Sequence, residues 1–269
     1  MTQTLSSPSE RLRELALRFK IPTVAAEVER RLVAAGHGGA LEALCDVFEM
    51  EGDNRQERRI SRLQRASNLP PGKTLETLKL TRFPNRVVHQ LKELCRGEFA
   101  SGGDNVLIFG LPGTGKSHAA SAIGHKVVER GRSVYYTPTF RLVQDLLRAK
   151  RDLELPRLLR KLDHIEVLIL DDLGYVQQEA EEIEVLFTLL AERYERRSLL
   201  VTSNLVFSQW DQIFKNPMTT AAAVDRMVHH ATVLDFNLPS YRAEEARLRG
   251  EGTTTAKAIT EPEIGRAHV

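Results

Sequence analysis

Apolar residues recur at two different spacings along the chain, and the change of spacing divides it. In the first part Leu12, Leu15, Ala16 and Phe19 lie three and four residues apart, the period of a helix with one buried face. Ser7, Pro8 and Glu10 precede them as cap, first-turn proline and the acid that closes a capping box. Ile21-Pro22 ends that helix, because the residue before a proline avoids helical geometry. A second amphipathic stretch covers 23–35 and stops at a cluster of glycines from Gly36 to Gly39. A third starts near Ala40, carries Leu41, Leu44, Val47 and Phe48 on one side, and either continues through Gly52 or restarts after it.

The pattern changes beyond the turn at Pro70-Pro71-Gly72. Residues 73–84 read as an irregular linker and 87–100 as a leading helix. Short apolar runs then alternate with helical stretches. The runs are Val106 to Phe109, 133–137, Val167 to Leu170, 198–204 and 232–236. Four consecutive apolar residues at Val167 to Leu170 suit a strand covered on both faces, and strands alternating with helices predict a parallel sheet. Thr139 is expected to cap a helix whose Leu142, Val143, Leu146 and Leu147 point inward.

The first run leads into Gly110, Leu111, Pro112, Gly113, Thr114, Gly115, Lys116 and Ser117, followed by His118 and an alanine-rich helix. Strand, glycine loop and helix in that order make a phosphate-binding loop. Glycines let backbone N–H groups turn inward onto phosphate oxygens, and the helix start adds its positive end. Lys116 would reach the outer phosphates of ATP and Ser117 would offer a hydroxyl to Mg²⁺. The third run ends in Asp171 and Asp172, at the sheet edge where ligands bind in open α/β sheets. Asp171 is placed to hold Mg²⁺ and Asp172 to orient or deprotonate the attacking water. Asn204, at the end of the fourth run, could touch the γ-phosphate or that water.

Composition narrows the class. In 269 residues the hydrophobic fraction is 42%, enough for one large α/β domain and a small one. The net charge is only +2, so contact with nucleic acid must come from local clusters. Two clusters stand out. Arg55, Arg58, Arg59 and Arg62 share a helical face, with Glu49, Glu51, Asp53 and Glu57 nearby as possible balancing acids. Arg148, Lys150, Arg151, Arg157, Arg160 and Lys161 form the second, on and after the helix that begins at Thr139. Either could track DNA phosphates or simply face solvent. The two cysteines cannot build a disulfide framework, no run is long and apolar enough for a membrane span, and the first ten residues lack an apolar signal core. A cytoplasmic protein without membrane contact is expected.

The phosphate loop, the paired acids and the polar end of the fourth strand resemble the AAA+ ATPases. More narrowly, the chain resembles the IstB-like ATPases encoded beside the transposase in bacterial insertion sequences, and more distantly the DnaC and DnaA replication proteins. The resemblance runs from about Leu12 to Arg247. It rests on Arg58-Arg59, Lys73-Thr-Leu-Glu76, the phosphate loop, Asp171-Asp-Leu-Gly-Tyr175, Arg193-Tyr-Glu-Arg196, Thr202-Ser-Asn204, Trp210, Asp225-Arg226 and Ser240-Tyr-Arg242. It implies a five-stranded parallel sheet flanked by helices behind a small all-helical N-terminal domain. The implied boundaries are 1–68 for the helical domain, 69–100 for linker and leading helix, 101–249 for the ATPase domain and 250–269 for a disordered tail.

By position, Asn204 matches the sensor asparagine and Arg226 the arginine that reaches a neighbouring subunit's nucleotide. Arg242 stands where relatives place a second sensing arginine. Asp172 departs from the more usual Glu and has one methylene less of reach, which would suit slow, timed hydrolysis. The resemblance implies that the second basic cluster faces a DNA path. It also implies that the N-terminal helices meet duplex DNA, the transposase, or both. The function implied is an ATPase that oligomerises on duplex DNA as a ring or helix, presents that DNA to its transposase, and disassembles on hydrolysis. A helicase loader of the DnaC type and a DNA-binding scaffold with little turnover are the alternatives.

Overall fold

The computed structural model describes residues 7–175, 179–214 and 216–241. The chain divides into two compact units, Met1–Arg62 and Leu63–Val269.

The first unit is helical. Helix α1 spans Pro8–Arg18, α2 spans Pro22–Ala34, and α3 spans Ala40–Ala66, ending beyond the division. The expected capping box is present: Glu10 N–H donates to Ser7 Oγ while Ser7 N–H donates to the Glu10 carboxylate. Leu12, Ala16 and Cys45 are buried together, with Cys45 Sγ 3.2 Å from Pro8 O, and Phe19 stacks on Phe48 with centroids 5.7 Å apart. Gly52 does not interrupt α3. A Cβ there would meet the Phe19 ring at 3.6 Å, an ordinary contact, so glycine is tolerated inside a helix held by that packing.

The second unit begins with α4 (Asn85–Leu94) and the one-turn α5 (Phe99–Gly102). The single leading helix expected over 87–100 is therefore broken, because Gly97 adopts φ +74 between the two pieces. The remaining order is β1 (Asn105–Gly110), α6 (Lys116–Glu129), β2 (Val134–Pro138), α7 (Thr139–Arg151), α8 (Leu155–Asp163), β3 (Val167–Asp171), α9 (Ala180–Arg193), β4 (Ser198–Ser203), α10 (Asp211–Phe214), α11 (Pro217–Val228) and β5 (Ala231–Phe236). All five strands are parallel, in the order β2-β3-β4-β1-β5. The phosphate-loop strand β1 is thus central, and β4 separates it from the acidic strand β3.

Thr139 does not cap α7. Its hydroxyl donates instead to Asp171 O at 2.9 Å, tying the helix start to the end of β3. The basic stretch after Thr139 is two helices, since Leu153 at φ +59 turns the chain between α7 and α8. The apolar faces of α7 and α9 close one side of the sheet with Leu142, Leu146, Val185, Leu186 and Leu189. Beside them Trp210 is fully buried against Phe109 and Phe207, its indole N–H donating to Leu205 O at 3.0 Å.

The Arg193-Tyr-Glu-Arg196 stretch has a structural reason to begin with arginine. Arg193 is 2% exposed, and its guanidinium donates to Leu162 O, Ile165 O, Glu166 O and Ser198 O at 2.9–3.3 Å. Burial lowers its pKa to about 10, so it stays charged at neutral pH and satisfies carbonyls from three segments at once. Among the described residues no helix is long and apolar enough to cross a membrane.

Candidate functional site

One cavity of about 370 Å³ gathers most of the residues expected to bind the nucleotide. Its floor is the loop between β1 and α6, contributing Pro112 to His118; Asp172 and Asn204 stand on the sheet side. The loop can follow this path because Gly113 and Gly115 take φ +81 and +101, which a side chain rarely tolerates. Gly110 is required by space as well, since a Cβ there would lie 2.7 Å from Phe236 O. No side chain caps α6, leaving its first-turn N–H groups on the cavity floor. Lys116 is buried, and its ammonium donates to Gly110 O at 2.8 Å and Leu111 O at 3.0 Å. Thr114 Oγ1 donates to Leu111 O at 2.9 Å and tightens the same turn.

The two acids part company. Asp172 lines the cavity and holds a left-handed φ of +58, uncommon for a residue with a side chain. Asp171 is buried behind the wall. Its carboxylate accepts the Tyr136 hydroxyl on one oxygen and Thr202 Oγ1 at 2.6 Å on the other. Thr202 Oγ1 in turn accepts Asp172 N–H at 2.9 Å. Burial first, and then the Asp171 hydrogen bond, push the Tyr136 hydroxyl far above its ordinary pKa, so it remains a donor. Asp171 therefore ties β2, β3 and β4 together at the point where Asp172 turns into the cavity.

Asn204 also lines the cavity, but its Oδ1 is buried and has no hydrogen-bond partner among the described residues. Arg226 is not part of its own chain's cavity wall. Its guanidinium lies over the Phe187 ring at 4.7 Å and donates to Ala222 O at 3.0 Å. Arg242 lies outside the described residues.

The opposite wall comes from the stretch expected to be a bare linker. Lys73, Thr77, Leu78, Lys79, Arg82 and Phe83 line the cavity. His118 fastens this wall to α6, with Nε2 3.0 Å from both Thr74 O and Thr77 Oγ1; burial lowers its pKa. Tyr241 closes the rim, donating N–H to Gly113 O at 2.9 Å, with Lys79 and Arg82 over its ring at 4.7 and 5.1 Å. Lys73 and Tyr241 fall in stretches that carry the family resemblance, but no motif spacing distinguishes the other residues of this wall. The one available signal was the alternation of apolar and cationic residues from Leu78 to Phe83.

The basic clusters lie elsewhere. Arg55, Arg58, Arg59 and Arg62 are exposed along α3, and Arg55 is paired with Glu51 at 2.6 Å and rests over Phe19. On α7 and α8, Lys150 is paired with Glu184 at 2.7 Å, Arg157 with Glu154 at 3.5 Å and Arg148 with Asp145 at 4.0 Å. Arg151, Arg160 and Lys161 are exposed and form no ion pair among the described residues.

The donor set fits a nucleotide triphosphate with its cation: open backbone N–H groups, a buried ammonium, a hydroxyl and a carboxylate converge on one cavity. Comparison with known proteins agrees. An insertion-sequence ATP-binding protein of Sinorhizobium fredii is 44% identical over 224 residues, covering 82% of this chain and 75% of that one. Among solved structures, replication initiator DnaA bound to AMPPCP and single-stranded DNA aligns with TM-score 0.54 and 17% identity, covering 70% of this chain and 57% of that one. The DnaC helicase loader aligns with TM-score 0.50 and 18% identity, covering 65% and 98%. These two likenesses show an AAA+ P-loop fold. A family model described as IstB-like ATP binding protein matches residues 13–249, and the chain belongs to that family.

Proposed function

We propose that this protein is an ATP-dependent DNA-binding helper of transposition. It assembles on duplex DNA when ATP is bound, presents that DNA to its transposase, and comes apart on hydrolysis. The observation that carries this reading is a division of labour around the cavity. The phosphate loop, Asp172 and Asn204 share one wall system, while Arg226 stands outside it on the same chain. An arginine outside its own chain's cavity wall is available to a neighbour's site. Subunit contact then depends on the γ-phosphate, which makes the nucleotide a switch for assembly.

Lys116 and the open N–H groups of α6 would bind the phosphates. Mg²⁺ would be held by Ser117; Asp171, expected from the sequence to hold the ion, has both carboxylate oxygens engaged by Tyr136 and Thr202 and would instead act through Thr202 to fix the turn at Asp172. When bound, the ion offsets charge on the outer phosphates. Asp172 would accept the proton of the attacking water, and Asn204 would orient the water or the γ-phosphate. The insertion-sequence context of the relatives supports a transposase as partner. Arg151, Arg160 and Lys161, which form no ion pair among the described residues, support a phosphate-contacting face on α7 and α8, and the exposed Arg58, Arg59 and Arg62 a second on α3.

The test is the salt dependence of duplex binding in ATP. Replacing Arg151, Arg160 and Lys161 with Ala is expected to flatten the log–log slope by about 0.9 per lost phosphate contact. An unchanged slope removes the α7–α8 face from the proposal. Tighter binding to single strands than to duplex would favour a helicase-loader role instead.

A further inference from the structure

Away from the nucleotide cavity, the ends of α9 and α11 bring three metal-ligating side chains together. Glu195 Oε1 lies 3.4 Å from His229 Nδ1 and 3.9 Å from His230 Nε2. One donor atom from each of the three falls within 4.8 Å of the others. The two imidazole centroids are 4.2 Å apart. Bonds of about 2.0–2.2 Å in tetrahedral geometry separate neighbouring donor atoms by about 3.4 Å, so only small side-chain shifts are needed to enclose an ion.

The backbone supports the cluster from both sides. His229 caps α11 and His230 leads into β5. This segment is pinned to β1: Asn105 N–H donates to His230 O at 2.7 Å, and Asn105 Nδ2 donates to Met227 O at 3.2 Å. Glu195 follows α9 in a left-handed conformation, φ +54, the position after a helix that glycine usually fills. The Tyr194 hydroxyl, 3.1 Å from His229 Nδ1, is the group that an ion would displace. All three ligands are about half exposed, so an ion could enter from solvent.

We propose that Glu195, His229 and His230 form a site for a divalent transition metal of the zinc class, with water as the fourth ligand. Two imidazoles and one carboxylate select borderline ions and disfavour Mg²⁺ and Ca²⁺, which take oxygen ligands. A bound ion ties the end of α9 to the end of α11, three residues after Arg226. The site does not depend on the nucleotide reading.

The test is titration of the full chain, stripped with chelator and free of nucleotide, with Co²⁺ followed by its visible absorption and with Zn²⁺ followed by calorimetry. One equivalent is expected, with affinity undiminished by excess Mg²⁺. Glu195→Gln and His230→Ala should each weaken binding tenfold or more, and Tyr194→Phe should not weaken it. Glu195→Gly, which relieves the left-handed position and so preserves the fold, should also lose the ion. No uptake by the wild type, or uptake by Glu195→Gly and His230→Ala equal to the wild type's, overturns the proposal.

Discussion

Gly174 lies against the Asn204 side chain: a Cβ built on Gly174 would overlap Asn204 Oδ1 and come within 3.3 Å of its Cγ. The glycine of Asp171-Asp-Leu-Gly-Tyr175 therefore leaves room for a residue thirty positions away in sequence and adjacent in space. Gly174→Ala is expected to displace Asn204 while leaving the phosphate loop alone. Steady-state ATPase should fall by about 10- to 100-fold, with ATP affinity kept. In an Asn204→Ala background the same substitution should bring no further loss of thermal stability, because the clash has been removed.

Asp172→Asn keeps the shape and tolerates the left-handed backbone at φ +58. It removes the carboxylate assigned to the water. Hydrolysis should drop by about 10²- to 10⁴-fold while ATP remains bound, and the DNA-bound assembly should outlive the wild type's. Equal slow turnover by both proteins, with DNA and transposase present, would mean that ATP is bound but not used.

Arg226→Ala should bind ATP yet neither assemble nor hydrolyse it. Mixing it with Lys116→Ala gives a direct assay. Each variant is inactive alone, but a Lys116→Ala subunit still carries Arg226 and can offer it to the intact site of its neighbour. Partial recovery of ATPase on mixing is expected, and none if Arg226 serves its own chain.

Much of this arrangement could be read from the residues, and the rest could not for identifiable reasons. The phosphate loop, β3 and the polar end of β4 are local patterns whose spacing carries their geometry. Helix α1 was equally legible, because its capping box lies within four residues. The wall formed by Lys73 to Phe83 was not legible, since it depends on His118 reaching Thr74 and Thr77 across more than forty residues. The different placements of Asp171 and Asp172 were hidden too. They follow from Tyr136 and Thr202 on the flanking strands β2 and β4, partners that only the strand order brings together. Thr139 looked like a cap because capping threonines have no other obvious use in sequence, yet Asp171 O claims its hydroxyl.

His118 gives a pH dependence with a definite sign. Burial lowers its pKa in the folded chain, so the unfolded chain takes up the proton first as pH falls. The contribution to stability is complete above the unfolded value of about 6.5 and declines as pH drops toward the folded value. Thermal unfolding of His118→Gln, compared with wild type from neutral pH to about pH 5.5, should show a smaller loss of stability on acidification. A wild-type curve no steeper than the variant's would remove His118 as the clasp of the cavity wall.

The central claim is that the nucleotide decides whether the protein holds duplex DNA. Fluorescence anisotropy of a labelled duplex tests it, comparing wild type and Lys116→Ala in ATP and in ADP. Wild type is expected to bind in ATP and release in ADP, and Lys116→Ala to bind weakly in both. Equal binding by wild type in ATP and ADP, with Lys116→Ala unchanged, would contradict it.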